Sequence, residues 1–432
     1  MSKYFLLFIF ILSFGCSKTY LDSTEESTTT SDPFTVASTY SSVDYSQMTF
    51  NYTNPELVRQ VEVRRETTEV PLTEYDGELV FLDTSNKSLF YDYKVSEDKA
   101  SLNENTTYYY SIFYRSDDMT IPPKRLKDIK IKTLSYKEGM LQFLLELISY
   151  SLSVNNALNF VSSTELLSLF VDTSTDPVTF VNPNLNNAID GILLHSLKYK
   201  PTNSTQTSLQ TSLNHSLIST LKTNERLFVV DYCTSTNTTC VNDARSNYEN
   251  QGVVGLIHPN IVSDIKNDFP DLLNESASSE ITSLNDEDIK NFVFIDSPFS
   301  NMISQLSTSN YDMIMMTPFS SSSWSNLFSS ADVERLKKKN NGTSRRLVYA
   351  YIDVSKVWKT NTYYWNALWD ELESRPNWID RNVSTNSDDF YIKFWRSEWR
   401  EIIKPVLKSV IESGYDGLVF GGGEKFSNYP LN

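Results

Sequence analysis

Two aspartates stand where a carboxylate can do acid–base work. Asp231 closes the apolar run Leu227 to Asp231, and Asp353 follows the run Leu347 to Ile352. In a parallel α/β barrel such strand ends converge over one mouth, so the pair could flank a scissile bond. One carboxyl would then protonate the leaving oxygen while the other attacks or activates water. Lys356, three residues beyond Asp353, would lower the pKa of a neighbouring acid. Plainer roles compete: Asp231 as a buried acceptor of loop N–H groups, and Asp353 as a cap or solvated loop residue. Flat rings crowd the same stretch, with Trp358, Tyr364 and Trp365 joined by Trp324, Tyr363, Trp369, Trp378, Trp395 and Trp399. Rings of this kind fill cores or stack on the C–H faces of sugars, and Trp358 is expected to be the most exposed. Tyr232 and His195, each near the end of an apolar run, are expected to line the same mouth. His215 and His258 have no partner at ligand spacing, so no metal site and no cofactor are expected.

The elements that must carry these residues change character along the chain. Residues 33–122 show short alternating runs, Gln47 to Tyr52, Val58 to Arg65, Leu79 to Leu82, Leu89 to Val95 and Tyr108 to Tyr114, which predict an antiparallel β-sandwich. Residues 123–432 carry continuous apolar runs interleaved with amphipathic helices, the pattern of a parallel sheet buried on both faces. The candidate strands are Leu141 to Ile148, Ala157 to Val161, Ala188 to Leu193, Leu227 to Asp231, Val253 to Ile257, Phe292 to Ile295, Tyr311 to Met316, Leu347 to Ile352, Phe390 to Trp395 and Gly417 to Phe420. That is more than eight, so one or two must lie outside a (β/α)8 TIM barrel, the expected architecture; an open doubly wound sheet is the alternative. Lys337 to Lys339 are expected as a solvated helix end.

The first 16 residues, with one Lys, the apolar run Tyr4 to Phe14 and Gly15-Cys16, read as a lipoprotein signal in which Cys16 takes the lipid. Polar residues 17–32 would then form a tether, and the protein would be exported and membrane-anchored, in the periplasm or at the cell surface. Cys233 and Cys240 would close a small disulfide loop in an oxidising envelope or remain two thiols. A net charge of −16 argues against nucleic acid as a partner and suits a neutral or cationic polymer.

Two family resemblances bear on these expectations. Phe50-Asn-Tyr-Thr-Asn-Pro55, Val61-Glu-Val-Arg-Arg65 and Leu102 to Tyr110 resemble strands B, C and F of bacterial fibronectin type III modules, with Tyr52 where a buried Trp is usual. That resemblance implies a spacer domain. Ile289 to Ile295, Asn310 to Ile314, Leu347 to Ile352, Tyr363-Tyr-Trp365, Tyr391 to Trp395 and Gly414-Tyr-Asp-Gly417 are similar, in order, to blocks of the polygalactosaminidase-like glycoside hydrolases of family 114 and related bacterial barrels. Asn187 to Gly191 and Val229 to Cys233 look like blocks of its longer members. The resemblance implies a barrel acting on amino-sugar polysaccharide, yet the acids it calls for are replaced. Lys356 stands in place of a Glu, Gly421 and Thr317 in place of Asp residues, and His195-Ser196 in place of a Glu-Asp pair. The expectation is a degenerate barrel that binds carbohydrate without efficient hydrolysis. An active glycosidase using Asp231 with Asp353, and a structural surface protein or adhesin, are the alternatives.

Overall fold

The computed structural model describes residues 32–92, 102–116, 118, 120–172, 179–201, 204–206, 208–222, 225–234, 236–258, 279–320, 326–366, 369, 375–383 and 388–422. The expected signal, tether and Cys16, like Trp324, lie outside these residues. The chain divides into two compact units, Met1–Met140 and Leu141–Asn432.

The first unit is a β-sandwich. One sheet has the order β1 (Phe34–Ser41), β2 (Ser46–Tyr52), β5 (Leu89–Asp92); the other has β4 (Glu78–Asp83), β3 (Gln60–Glu66), β6 (Thr107–Arg115), β7 (Lys124–Lys132), all antiparallel. Alternate residues of both sheets meet in one core, with Phe34, Met48 and Phe50 from the first facing Val61, Val63, Tyr110 and Ile112 from the second. A polar staple crosses that core. Arg65 donates to both Asp92 oxygens at 2.8 and 2.9 Å, and Tyr110 donates to Asp92 Oδ2 at 2.7 Å and meets Ser46 Oγ at 3.0 Å. The Tyr108 hydroxyl accepts the N–H of Asn103 at 2.8 Å, pinning the turn that enters β6. The sandwich runs past residue 122, because β7 is its last strand. The charges of Lys-Arg-Leu-Lys-Asp-Ile-Lys-Ile-Lys hide that strand in the sequence, and an edge position lets them face water.

The second unit holds eight parallel strands in the order β13 (Val254–His258), β12 (Arg226–Tyr232), β11 (Gly191–His195), β8 (Asn159–Ser163), β20 (Gly417–Gly421), β16 (Leu347–Asp353), β15 (Met313–Met316), β14 (Phe292–Ile295). Strands consecutive in this sheet lie side by side, and β13 and β14, its two ends, approach within 8 Å between Cα atoms. The sheet is therefore a nearly closed barrel. Two of the ten expected strands fall outside it. Leu141 to Ile148 lies inside the helix Tyr136–Val154, whose buried Met140, Phe143, Leu144, Leu147 and Ile148 recur at helical spacing. Phe390 to Trp395 enters a small antiparallel sheet, β17 (Lys356–Trp358), β19 (Asp389–Ile392), β18 (Ile379–Asn382). Two short strands, β9 (Val171–Asp172) and β10 (Thr179–Phe180), pair beside β8 in sequence.

Buried ions lock the lower rim, just before the strands begin. Lys339, expected in solvent, is buried with its ammonium 2.5 Å from Asp312 Oδ1, while Asp312 Oδ2 accepts the N–H groups of Lys290 and Asn291. Arg346, fully buried, donates to the carbonyls of Ser309, Leu306, Lys338 and Leu336.

Candidate functional site

Ring contacts across intervening strands show which side chains line the barrel interior. Phe228 on β12 meets Phe292 on β14 at 5.1 Å, His195 on β11 meets Phe294 on β14 at 5.2 Å, and Phe294 meets Tyr351 on β16 at 5.3 Å. Side chains converge in this way only on the concave face, and strand alternation fixes the rest. Phe228, Val230 and Tyr232 point inward, so Asp231 points outward. Tyr349 and Tyr351 point inward, and so does Asp353.

The two aspartates therefore do not face one another. Asp231 Oδ1 accepts the N–H groups of Lys198 and Tyr199, both at 2.7 Å, in the loop after β11. Burial pushes its pKa up to about 6 against the lowering effect of those N–H groups and of the nearby Tyr248 hydroxyl. The same loop is fastened from the helix Thr238–Gln251, where Asp243 accepts from the Tyr199 hydroxyl and from Lys198 Nζ, each at 2.6 Å. Cys233 and Cys240 are disulfide-bonded, tying the end of β12 to the first turn of that helix. Asp231 is a loop clamp in the outer layer, and the expected catalytic pairing with Asp353 is not formed.

Asp353 is held over the mouth. Its Oδ1 accepts from Ser355 N–H (2.9 Å), Ser355 Oγ–H (3.1 Å) and Lys356 N–H (3.0 Å), and Lys356 Nζ lies 4.0 Å from Oδ2. Burial pushes this carboxyl up to about 6, partly offset by the Lys356 charge and the Ser355 hydrogen bonds. Gly421 and Gly422 make this geometry possible. A Cβ on Gly421 would fall 2.4 Å from the Tyr351 ring, and one on Gly422, at φ +80°, would fall 2.0 Å from Asp353 Oδ1. The Asp353 carboxylate thus occupies the space that a side chain at position 422 would need.

Tyr364 is buried against Trp399 (5.4 Å) and Phe319 (6.0 Å). Burial, and then the charge of Asp353, raise its pKa. On the opposite wall His195 Nδ1 and the Tyr232 hydroxyl are 2.8 Å apart. His258, set aside in the sequence, also reaches the interior and donates from Nε2 to the Phe294 carbonyl at 3.0 Å. Its register opposite Tyr232 was the available signal. Glu165, also unremarked in the sequence, begins the turn after β8 and accepts a hydrogen bond from Ser163 Oγ.

Most of the expected ring platform is core. Trp365 stacks on Phe390 at 4.7 Å beneath Arg375, and Trp365, Trp369, Trp378 and Trp399 form a chain of ring contacts, so Trp365 and the body of Tyr364 offer no open stacking face. The reason is the small sheet β17–β19–β18, which needs its own core. Trp358 is half-buried, and Tyr363 is exposed.

A nearly closed parallel barrel with polar groups gathered at the carboxyl ends of its strands, following a β-sandwich in the chain, is an architecture on which many barrel enzymes and binding proteins are built. No protein-family model matches the chain. An uncharacterized protein of Methanocaldococcus jannaschii is 23% identical over 130 residues, 30% of this chain and 35% of its own length, so the chain spans about a third of that relative. A family 123 glycoside hydrolase from Clostridium perfringens aligns with 88% of this chain and 84% of its own at 9% identity and a TM-score of 0.27. The fibronectin type-III domain of human fibronectin type III domain containing protein 3 aligns with 26% of this chain and 93% of its own, at 8% identity and a TM-score of 0.17.

Proposed function

We propose that the barrel mouth binds carbohydrate, on an exported protein anchored through Cys16 and spaced from the membrane by a fibronectin-like sandwich. The observation that carries this reading is Asp353 at the top of β16, with Lys356 Nζ 4.0 Å from it and the Tyr364 phenol within reach of its charge. A carboxylate, an ammonium and a phenol together offer acceptors and donors for sugar hydroxyls beside a buried apolar wall. The ordered blocks similar to polygalactosaminidase-like glycoside hydrolases favour an amino-sugar polymer. The acids which that family would use are replaced at Lys356, Gly421, Thr317 and His195, so its own hydrolytic machinery is not what this mouth offers.

Titration of partially N-acetylated galactosamine and glucosamine oligosaccharides, followed by calorimetry, tests the proposal. Binding is expected to weaken at least tenfold in Lys356→Ala and Tyr364→Phe, each of which removes a donor, and to stay within threefold in Asp231→Asn. Equal binding by all four proteins, or by none, would move the ligand site away from the mouth.

A further inference from the structure

We infer that the end of the sandwich where the chain enters it rests on a lipid surface, with Leu57 and Ile121 entering the headgroup layer. The inference rests on the reading of Cys16 as a lipid anchor and gives the sandwich a contact beyond its role as spacer. Antiparallel order decides which connections share that end. Phe34 at the start of β1 is paired with Tyr52 at the end of β2, Gln60 at the start of β3 with Arg115 at the end of β6, Asp83 at the end of β4 with Val61, and Lys124 at the start of β7 with Tyr114. The entry at Asp32 and the β2–β3, β4–β5 and β6–β7 connections therefore lie together. Polar contacts stitch them to one another. Thr53 Oγ1 donates to the Asp32 carbonyl at 3.0 Å, Asn86 Nδ2 to the Pro55 carbonyl at 3.1 Å and the Arg59 N–H to the Arg115 carbonyl at 2.8 Å, while Lys124 Nζ lies 3.4 Å from Asp32 Oδ1.

Two of these connections present an aliphatic side chain to solvent, Leu57 and Ile121, each 54% exposed. One exposed leucine is ordinary, whereas two on separate connections at one end call for an apolar neighbour. Neither sits on slack chain. Leu57 closes a turn of 3₁₀ helix, Pro55–Leu57, in which the N–H groups of Leu57 and Val58 donate to the carbonyls of Asn54 and Pro55, each at 3.1 Å. The Ile121 N–H donates to the Asp118 carbonyl at 3.2 Å, and Pro122-Pro123 follows. Their ordering is met in folding, which lowers the cost of a later contact. Arg59, Lys87 and Lys124 are exposed at the same end, with stems long enough to lie along an acyl boundary while their charges meet lipid phosphates. Acids are present too: Glu56 is exposed, Asp32 faces Lys124, and Asp118 accepts from Thr120. The apolar tips, rather than net charge, carry the inference.

The point of entry favours a bilayer over a second protein as the occupant. Residues 17–31 separate Cys16 from Asp32. Fully extended, such a stretch reaches at most roughly 50 Å. An acyl group on Cys16 therefore keeps this end close to the membrane, at an effective concentration on the order of millimolar. A contact too weak to hold a free protein is occupied under those conditions, and a protein partner gains no such advantage. A lipid chain joined by a second, weaker signal is also the arrangement that turns marginal membrane binding into a stable one.

Full-length protein, purified from membranes and reconstituted into vesicles of phosphatidylcholine with about 30% phosphatidylglycerol, provides the test. The environment-sensitive fluorophore NBD is attached, in separate proteins, at Leu57→Cys, at Ile121→Cys and, toward the far end of β7, at Lys130→Cys. Expected are a blue shift of at least 10 nm and quenching by doxyl-labelled lipid at positions 57 and 121, neither effect at 130, and a Tm within a few degrees of wild type for all three. Emission at 57 and 121 that stays as in water, while mass spectrometry finds Cys16 acylated, overturns this inference and leaves the anchor standing. An unmodified Cys16 overturns both. Blue emission already present before lipid is added means that protein covers this end, and an equal shift at 130 means contact without a preferred face; either result overturns the inference. Positions 57 and 121 are exposed and read separately, so each decides alone should the other variant fail to fold.

Discussion

Replacing Asp231 by Asn separates the loop clamp from the chemistry. The carboxyl is fully buried, with its pKa raised from 3.8 to about 6. A raised carboxyl binds its proton more tightly in the folded state, so its contribution to stability is complete below about pH 4 and is lost as pH rises through 6. At pH 7.5 the ionised group costs on the order of 3 kcal/mol, from about two pKa units at 1.36 kcal/mol each. Asn keeps an oxygen for the N–H groups of Lys198 and Tyr199 and sheds the charge, while its buried NH₂ costs about 1 kcal/mol. The expected net gain is about 2 kcal/mol at pH 7.5, shrinking between pH 6 and pH 4. Urea unfolding followed by Trp fluorescence reads this in the barrel alone, since all 7 Trp lie beyond residue 320. A gap between variant and wild type that stays constant from pH 7.5 to 4.5, or an Asn variant less stable at pH 7.5, would refute the assignment of burial as the dominant effect.

Asp312→Ala strands the buried Lys339 ammonium and is expected to cost about 3–5 kcal/mol, whereas Lys339→Met leaves Asp312 with two N–H donors and should cost less; equal urea midpoints would contradict this. Gly422→Ala must adopt φ +80° and displace the Asp353 carboxylate, for about 2–4 kcal/mol, of which only about 1 should remain in the Asp353→Ala background in a double-mutant cycle. Opening the Cys233–Cys240 bridge by double substitution with Ser removes a short loop closure and should cost about 2–3 kcal/mol, read as a lower barrel transition in the same fluorescence assay.

Much of the barrel was legible because a strand buried on both faces must be a continuous apolar run. Val229-Val230, Met315-Met316 and Val419-Phe420 can hardly be anything else. The run Leu141 to Ile148 misled for the same reason, since a buried helix is equally apolar over a short window, and its single β-branched residue, Ile148, was the discriminating sign. Direction within a strand was harder to read. Asp231 and Asp353 both end apolar runs, and only ring contacts across the barrel reveal that one faces the helices and the other the interior. Lys339 was misplaced because a run of three lysines looks solvated until its carboxylate partner, 27 residues away, is known.

The quarrel between Gly422 and Asp353 also constrains substitution. A side chain at position 422 and a carboxylate at 353 claim one volume, so a change at either position alters what the other can tolerate. As long as a carboxylate stands at 353, the position just past β20 is therefore confined to glycine.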